Sequence, residues 1–134
     1  MFKRALMIGV ISVVAGCAAQ SQPLPVDQTF KVEWIGERPL IDRSHLTVRF
    51  SPDGRASGSA GCNQWMSNYE VAGKQLSLKA PAGTRKLCAE SLMEQENRFL
   101  KTLGEINSWS FDGDGALHLH TQDGHSIKLF AESP

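Results

Sequence analysis

The sequence predicts an α+β fold, mainly β: an antiparallel sheet of about eight short strands with one α-helix. Three observations predict it. Short runs with apolar residues at every second position are separated by turn residues. A single segment near residue 91 changes to the helical period. Once an N-terminal leader is set aside, about 115 residues remain, which is the length of one domain.

The leader comes first. Lys3 and Arg4 precede an apolar run from Ala5 to Ala15 that is too short to span a bilayer, the pattern of a signal peptide over residues 1–16. The run ends in Val14-Ala15-Gly16-Cys17, which resembles the lipobox read by the lipoprotein signal peptidase. That resemblance implies diacylglyceryl transfer to the Cys17 thiol and a mature chain that begins there, held to a membrane by its acyl chains. An ordinary secretory signal cut after Ala18 or Ala19 is the alternative. Ala18 is not the aspartate that retains such proteins at the inner membrane, so the expected address is the outer membrane, facing the periplasm. Residues 17–29, polar and punctuated by Pro23 and Pro25, read as a flexible tether, and residues 30–134 as the domain.

Within the domain, Val32 and Trp34 mark the first strand. Leu46, Val48 and Phe50 mark the next, which the turn Ser51-Pro52-Asp53-Gly54 joins to a strand from Arg55 to Ala60. Tyr69 with Val71, Leu76 with Leu78, Trp109 with Phe111, Leu117 with Leu119, and Ile127 with Leu129 repeat the period of two. Ser91-Leu92-Met93-Glu94 has the form of a capping box. It predicts a helix from Leu92 to Leu103, with Leu92, Met93, Phe99, Leu100 and Leu103 on its apolar stripe and Gly104 ending it.

Three cysteines in an exported chain leave one odd thiol unless one has another task, and lipidation of Cys17 removes the oddity. Cys62 and Cys88 are then expected to form a disulfide in an oxidising compartment. Two buried free thiols are the alternative, and zinc is disfavoured because neither cysteine has a further ligand at suitable spacing.

Charge and motifs narrow the function classes. Acidic and basic residues balance over the whole chain, and loss of Lys3 and Arg4 leaves the remainder slightly acidic. With no basic run interleaved with aromatics, nucleic acid is not an expected partner. Ser44-His45 and the scattered aspartates form no nucleophile motif, no glycine-rich phosphate loop occurs, and catalysis and cofactors are not expected. His118 and His120 share one strand face, and His125 follows across the Asp123-Gly124 turn. A transition-metal site on the three is weighed against histidines that simply face water while Leu117 and Leu119 face the core, and the second reading is preferred. Asp112-Gly113-Asp114-Gly115 fits a hairpin turn better than a calcium loop, since the later acidic ligand is missing.

Gly58-Ser59-Ala60-Gly61-Cys62-Asn63, followed by Tyr69, resembles the signature of the META domain family, which includes the heat-shock lipoprotein HslJ. Thr84-Arg85-Lys86-Leu87-Cys88 resembles its second motif, and Glu96-Asn97-Arg98-Phe99-Leu100 through Leu103 its helix. Trp34 and the Trp109 to Phe130 hairpins also match, so the likeness spans Phe30 to Phe130. It implies a compact, barrel-like antiparallel sheet with a single helix. It implies no reaction, and an envelope role in stress tolerance or in contact with envelope proteins. A carrier of a small apolar ligand and a proteinaceous inhibitor of an envelope-attacking hydrolase are the alternatives. Gln64-Trp65 departs from the basic residue and phenylalanine usual there. Gly61, Asn63, Thr84, Arg85 and Glu96 are expected as structural residues of the motif. Glu96 falls where the helical projection calls for an apolar residue, so it should be buried and paired, either with Arg85 or with the backbone and side chain near Asn63.

Overall fold

The computed structural model describes residues 9–16 and 22–133. Cys17 lies outside them. Nine strands run in the order β1 (Thr29–Ile35), β2 (Arg38–Pro39), β3 (Thr47–Phe50), β4 (Arg55–Ser59), β5 (Gln64–Ala72), β6 (Gln75–Gly83), β7 (Ile106–Phe111), β8 (Leu117–Thr121) and β9 (Ser126–Ala131). Helix α1 (Glu90–Gly104) stands between β6 and β7. All pairings are antiparallel, and β1 pairs β9, which closes eight strands into a barrel and leaves β2 as a short arm on β1. Closure removes the free edges that an open sheet would expose.

The alternating residues supply the interior. Phe30, Val32, Leu46, Val48, Phe50, Leu76, Leu78, Trp109, Leu117, Leu119, Ile127 and Leu129 are buried in one cluster. Helix α1 packs on β6 and β1 and adds Phe99 and Leu103 to that same cluster. Phe99 meets the Trp65 ring edge-on at 6.0 Å. The turn at Gly54, with φ +87°, returns the chain into β4, and the Tyr69 hydroxyl donates to the Ser51 carbonyl at 2.7 Å to brace it.

Four local expectations are corrected. The register shifts between Val32 and Trp34 in the β1–β9 ladder, so Ile35 takes the inward position and Trp34 is 40% exposed. Val71 is also exposed, near the outer end of the β5–β6 hairpin. The helix starts earlier than its capping box suggested: extended Ala89 is the N-cap, no side chain caps it, and Ser91 sits inside the first turn. Gly104 stays helical, and Glu105 ends the helix in a right-handed conformation because the chain passes directly into β7 at the buried Ile106.

The folded unit also begins before Phe30. Leu24 is buried in the core, and the Asp27 amide donates to the Phe50 carbonyl at 2.8 Å. Residues 24–28 are therefore part of the packed domain, because an apolar side chain between two prolines finds core to cover it.

Candidate functional site

The motif residues converge where the β4–β5 turn, the segment after β6 and helix α1 meet. Gly58 makes the approach possible: a Cβ there would overlap the Thr47 carbonyl oxygen. That oxygen accepts from the Trp65 indole at 3.0 Å, and the Thr47 hydroxyl oxygen accepts from the Ser59 amide at 2.9 Å. Trp65 thus suits the place usually held by phenylalanine, being buried with its one polar atom satisfied. At Gly61, with φ +105°, the chain turns tightly, and the Ala60 amide donates to the Asn63 carbonyl at 2.7 Å.

Asn63, 1% exposed, is the centre of the arrangement. Its Nδ2 donates to Glu96 Oε2 at 2.8 Å and to the Lys86 carbonyl at 3.2 Å. Its Oδ1 accepts from the Lys86 amide at 2.7 Å and from the Thr84 hydroxyl at 3.0 Å. Its backbone amide donates to Glu96 Oε1 at 3.1 Å. A primary amide has two donors and two acceptor positions, and every one is used. Glu96, 3% exposed, receives a hydrogen bond on each carboxylate oxygen from this single residue. Arg85 is exposed, so the Asn63 backbone and side chain are what pair the carboxylate. Thr84 is tied in twice more: its hydroxyl oxygen accepts from the Gln64 amide at 3.2 Å, and its amide donates to the Gln64 carbonyl at 2.9 Å. Beside this network Cys62 and Cys88 form a disulfide, with Cα atoms 6.1 Å apart.

Gln95, buried next to Glu96, has no place in the sequence reading. Its Oε1 accepts from the Ile41 amide at 2.8 Å and its Nε2 donates to the Ser44 hydroxyl at 3.1 Å, which ties the loop before β3 to the helix. A signal existed: Gln95, Phe99 and Leu103 recur every fourth position on one face.

The three histidines do not converge. His118 and His120 stack with ring centroids 5.8 Å apart, but His118 bonds Asp112 at 2.7 Å and His120 bonds the Ser110 hydroxyl at 2.7 Å. His125 sits at the β8–β9 turn beside Asp123, 3.0 Å away. Among the described residues no group of three histidine, cysteine, aspartate or glutamate side chains is placed to hold a metal. Burial, aided by the nearby His118, holds the His120 imidazole below its ordinary value. The Thr121 hydroxyl, then His125, pull the Asp123 carboxyl down to about 2. Hydrogen bonds from His118 and the Ala116 amide lower Asp112, whose Oδ1 also accepts from the Asp114 amide to close the β7–β8 turn.

This arrangement is the one that the Gly58 to Asn63 and Thr84 to Cys88 motifs describe, and the family model of the META domain matches residues 22–134. The chain belongs to the META domain family. Solved structures share the fold. An NMR structure of a protein from Burkholderia xenovorans is 18% identical with a TM-score of 0.68, and each chain is covered in full. A second NMR structure is 24% identical with a TM-score of 0.60, covering 77% of this chain and 87% of that one. A crystal structure of a DUF4847 family protein from Bacteroides vulgatus is 14% identical with a TM-score of 0.56, covering 79% and 92%. Among curated proteins none matches the sequence. The META domain here is the closed eight-strand barrel with its helix, and Asn63 and Glu96 are where its two motifs and its helix meet.

Proposed function

We propose that this META domain protein is a lipid-anchored, non-enzymatic component of the bacterial cell envelope, attached through Cys17 at the outer membrane and facing the periplasm. It works by contact with other envelope components, in the service of stress tolerance. The observation that carries the non-enzymatic reading is that Glu96 and Asn63 are committed to each other. Glu96 is the one buried carboxylate among the described residues, and both its oxygens are occupied by Asn63, whose own capacity is full. Such a carboxylate positions loops. The lipobox-like Val14-Ala15-Gly16-Cys17 supports the anchor. The barrel interior argues against a carrier of small apolar ligands, because Phe30, Phe50, Trp65, Trp109 and the helix residue Phe99 fill it.

Metabolic labelling with a fatty-acid probe tests the anchor. The native chain should take up label and fractionate with outer membranes, and a Cys17→Ala variant should lack label and accumulate as precursor. A native protein without acyl mass, or a Cys17→Ala variant processed as usual, would refute the anchored reading.

A further inference from the structure

The segment after β6 has features that a purely structural clamp does not require. Residues 84–89 are exposed and carry no regular structure before the helix, and Leu87 is 93% exposed. Yet the segment is held firmly on both sides of that leucine. The Asn63 side chain grips both the amide and the carbonyl of Lys86, and the next residue but one, Cys88, is bonded to Cys62. No residue from Thr84 to Cys88 has a positive φ. The Lys86 peptide groups are turned toward Asn63, whereas among the described residues no hydrogen bond uses the backbone of Leu87. The result is a protruding apolar side chain with its own N–H and C=O unused among the described residues, held between Lys86 and Cys88 and preceded by the exposed cations Arg85 and Lys86.

We propose that this segment is an insertion loop that occupies the substrate cleft of an endopeptidase cleaving after large apolar residues, with Leu87 in the specificity pocket. The inference rests on the reading that the domain acts by contact, and it names the partner class. A segment held in advance, with free backbone groups and no positive φ, pairs with a cleft as an added strand while losing little conformational entropy. A single leucine and two cations make a weak membrane anchor by comparison. The bond presented is Leu87–Cys88. If the enzyme adds water across it, a Leu87 carboxylate and a Cys88 amine form. The first stays in place through the Asn63 grip on Lys86, and the second through the Cys62 disulfide. The two ends cannot separate, so the reverse step, loss of water, regenerates the loop in the cleft. The segment thereby behaves as an inhibitor and not as a substrate.

Chymotrypsin, assayed on a small chromogenic amide, is the probe. The chain purified as its host makes it should inhibit competitively at 1:1 stoichiometry. Leu87→Asp should weaken inhibition about 30-fold or more, as expected for a central anchor residue. Leu87→Phe should retain it, and both variants should keep the parent's unfolding midpoint because the side chain touches solvent. Reduction of the disulfide should turn the loop into a substrate cut after Leu87. Absence of inhibition, rapid loss of the intact Leu87–Cys88 bond under oxidising conditions, or equal inhibition by Leu87→Asp would overturn the proposal. Leucine-dependent binding to anionic vesicles without inhibition would overturn it too, assigning the loop to a membrane surface. None of these outcomes alters the acyl-labelling result at Cys17, so the two readings fail separately.

Discussion

Asn63 and Glu96, thirty-three positions apart, are joined by two hydrogen bonds that run from one residue's backbone and side chain to the two oxygens of the other. Through this pair the β4–β5 turn is fixed to the helix, and through the remaining valences of Asn63 the Lys86 segment is fixed to both. Replacing Glu96 with Gln keeps the shape but turns one acceptor into a donor facing an N–H of Asn63. Hydrogen bonds to charged groups contribute about 1.5–3 kcal/mol, and a buried donor left unmatched adds to the loss. Urea unfolding of Glu96→Gln should show about 2–3 kcal/mol less stability with an unchanged slope. Parent-like stability would mean that the carboxylate is not holding the turn.

Gly58→Ala places a methyl group against the Thr47 carbonyl oxygen, which is backbone and cannot move aside without breaking the Trp65 and Ser59 contacts. Overpacking of this kind costs about 1–3 kcal/mol and more where backbone must shift. Thermal unfolding should show a fall in Tm at least as large as that of Glu96→Gln. Gly113→Ala, where the added carbon meets nothing, is the control and should be near neutral.

The disulfide closes a segment of sequence separation 26. Loop-closure entropy assigns such a bridge about 3.5 kcal/mol. Unfolding followed with and without reductant should differ by that order, and a difference below about 1 kcal/mol would show that the Asn63 contacts alone constrain the segment.

Stability should also fall toward acid in two stages. The His120 value is depressed in the folded state, so its contribution is present above the ordinary value of 6.5 and declines as pH drops below it. Asp123 and Asp112 are likewise depressed, from an ordinary 3.8, so their contribution is present above about pH 4 and is lost as pH falls, for Asp123 through about 2. His120→Gln keeps a partner for the Ser110 hydroxyl and should abolish the first stage only, as read by unfolding midpoints between pH 7 and 3.

The strands are legible in the sequence because a barrel with one solvated face imposes strict alternation, and Leu117, Leu119, Ile127 and Leu129 obey it. Trp34 is misread because a bulge leaves no mark in residue types and reverses the phase of everything beyond it. The helix start is misread because a favourable local cap at Ser91 gives way to Ala89, where the chain leaves the disulfide. Glu96 stands out as a charge inside an apolar stripe, but Gln95 passes unnoticed because a neutral amide beside a charge draws no attention on a projection. Least legible is the rigidity of Lys86 and Leu87. It depends on Asn63, Cys62 and Glu96, which are distant in sequence: the Thr84 to Cys88 motif and the disulfide mark the segment, but nothing in its own residues shows the two hydrogen bonds that hold Lys86.

Amide hydrogen exchange at Lys86 tests most directly whether the Asn63–Glu96 pair holds the exposed segment. Lys86 is exposed, yet its N–H lies 2.7 Å from Asn63 Oδ1. The network predicts strong protection of this amide in the native protein, with the neighbouring Leu87 amide exchanging freely, and at least a tenfold faster exchange at Lys86 in Glu96→Gln under conditions where the barrel amides stay protected. Exchange of Lys86 at the rate of an unstructured peptide in the native protein would contradict it.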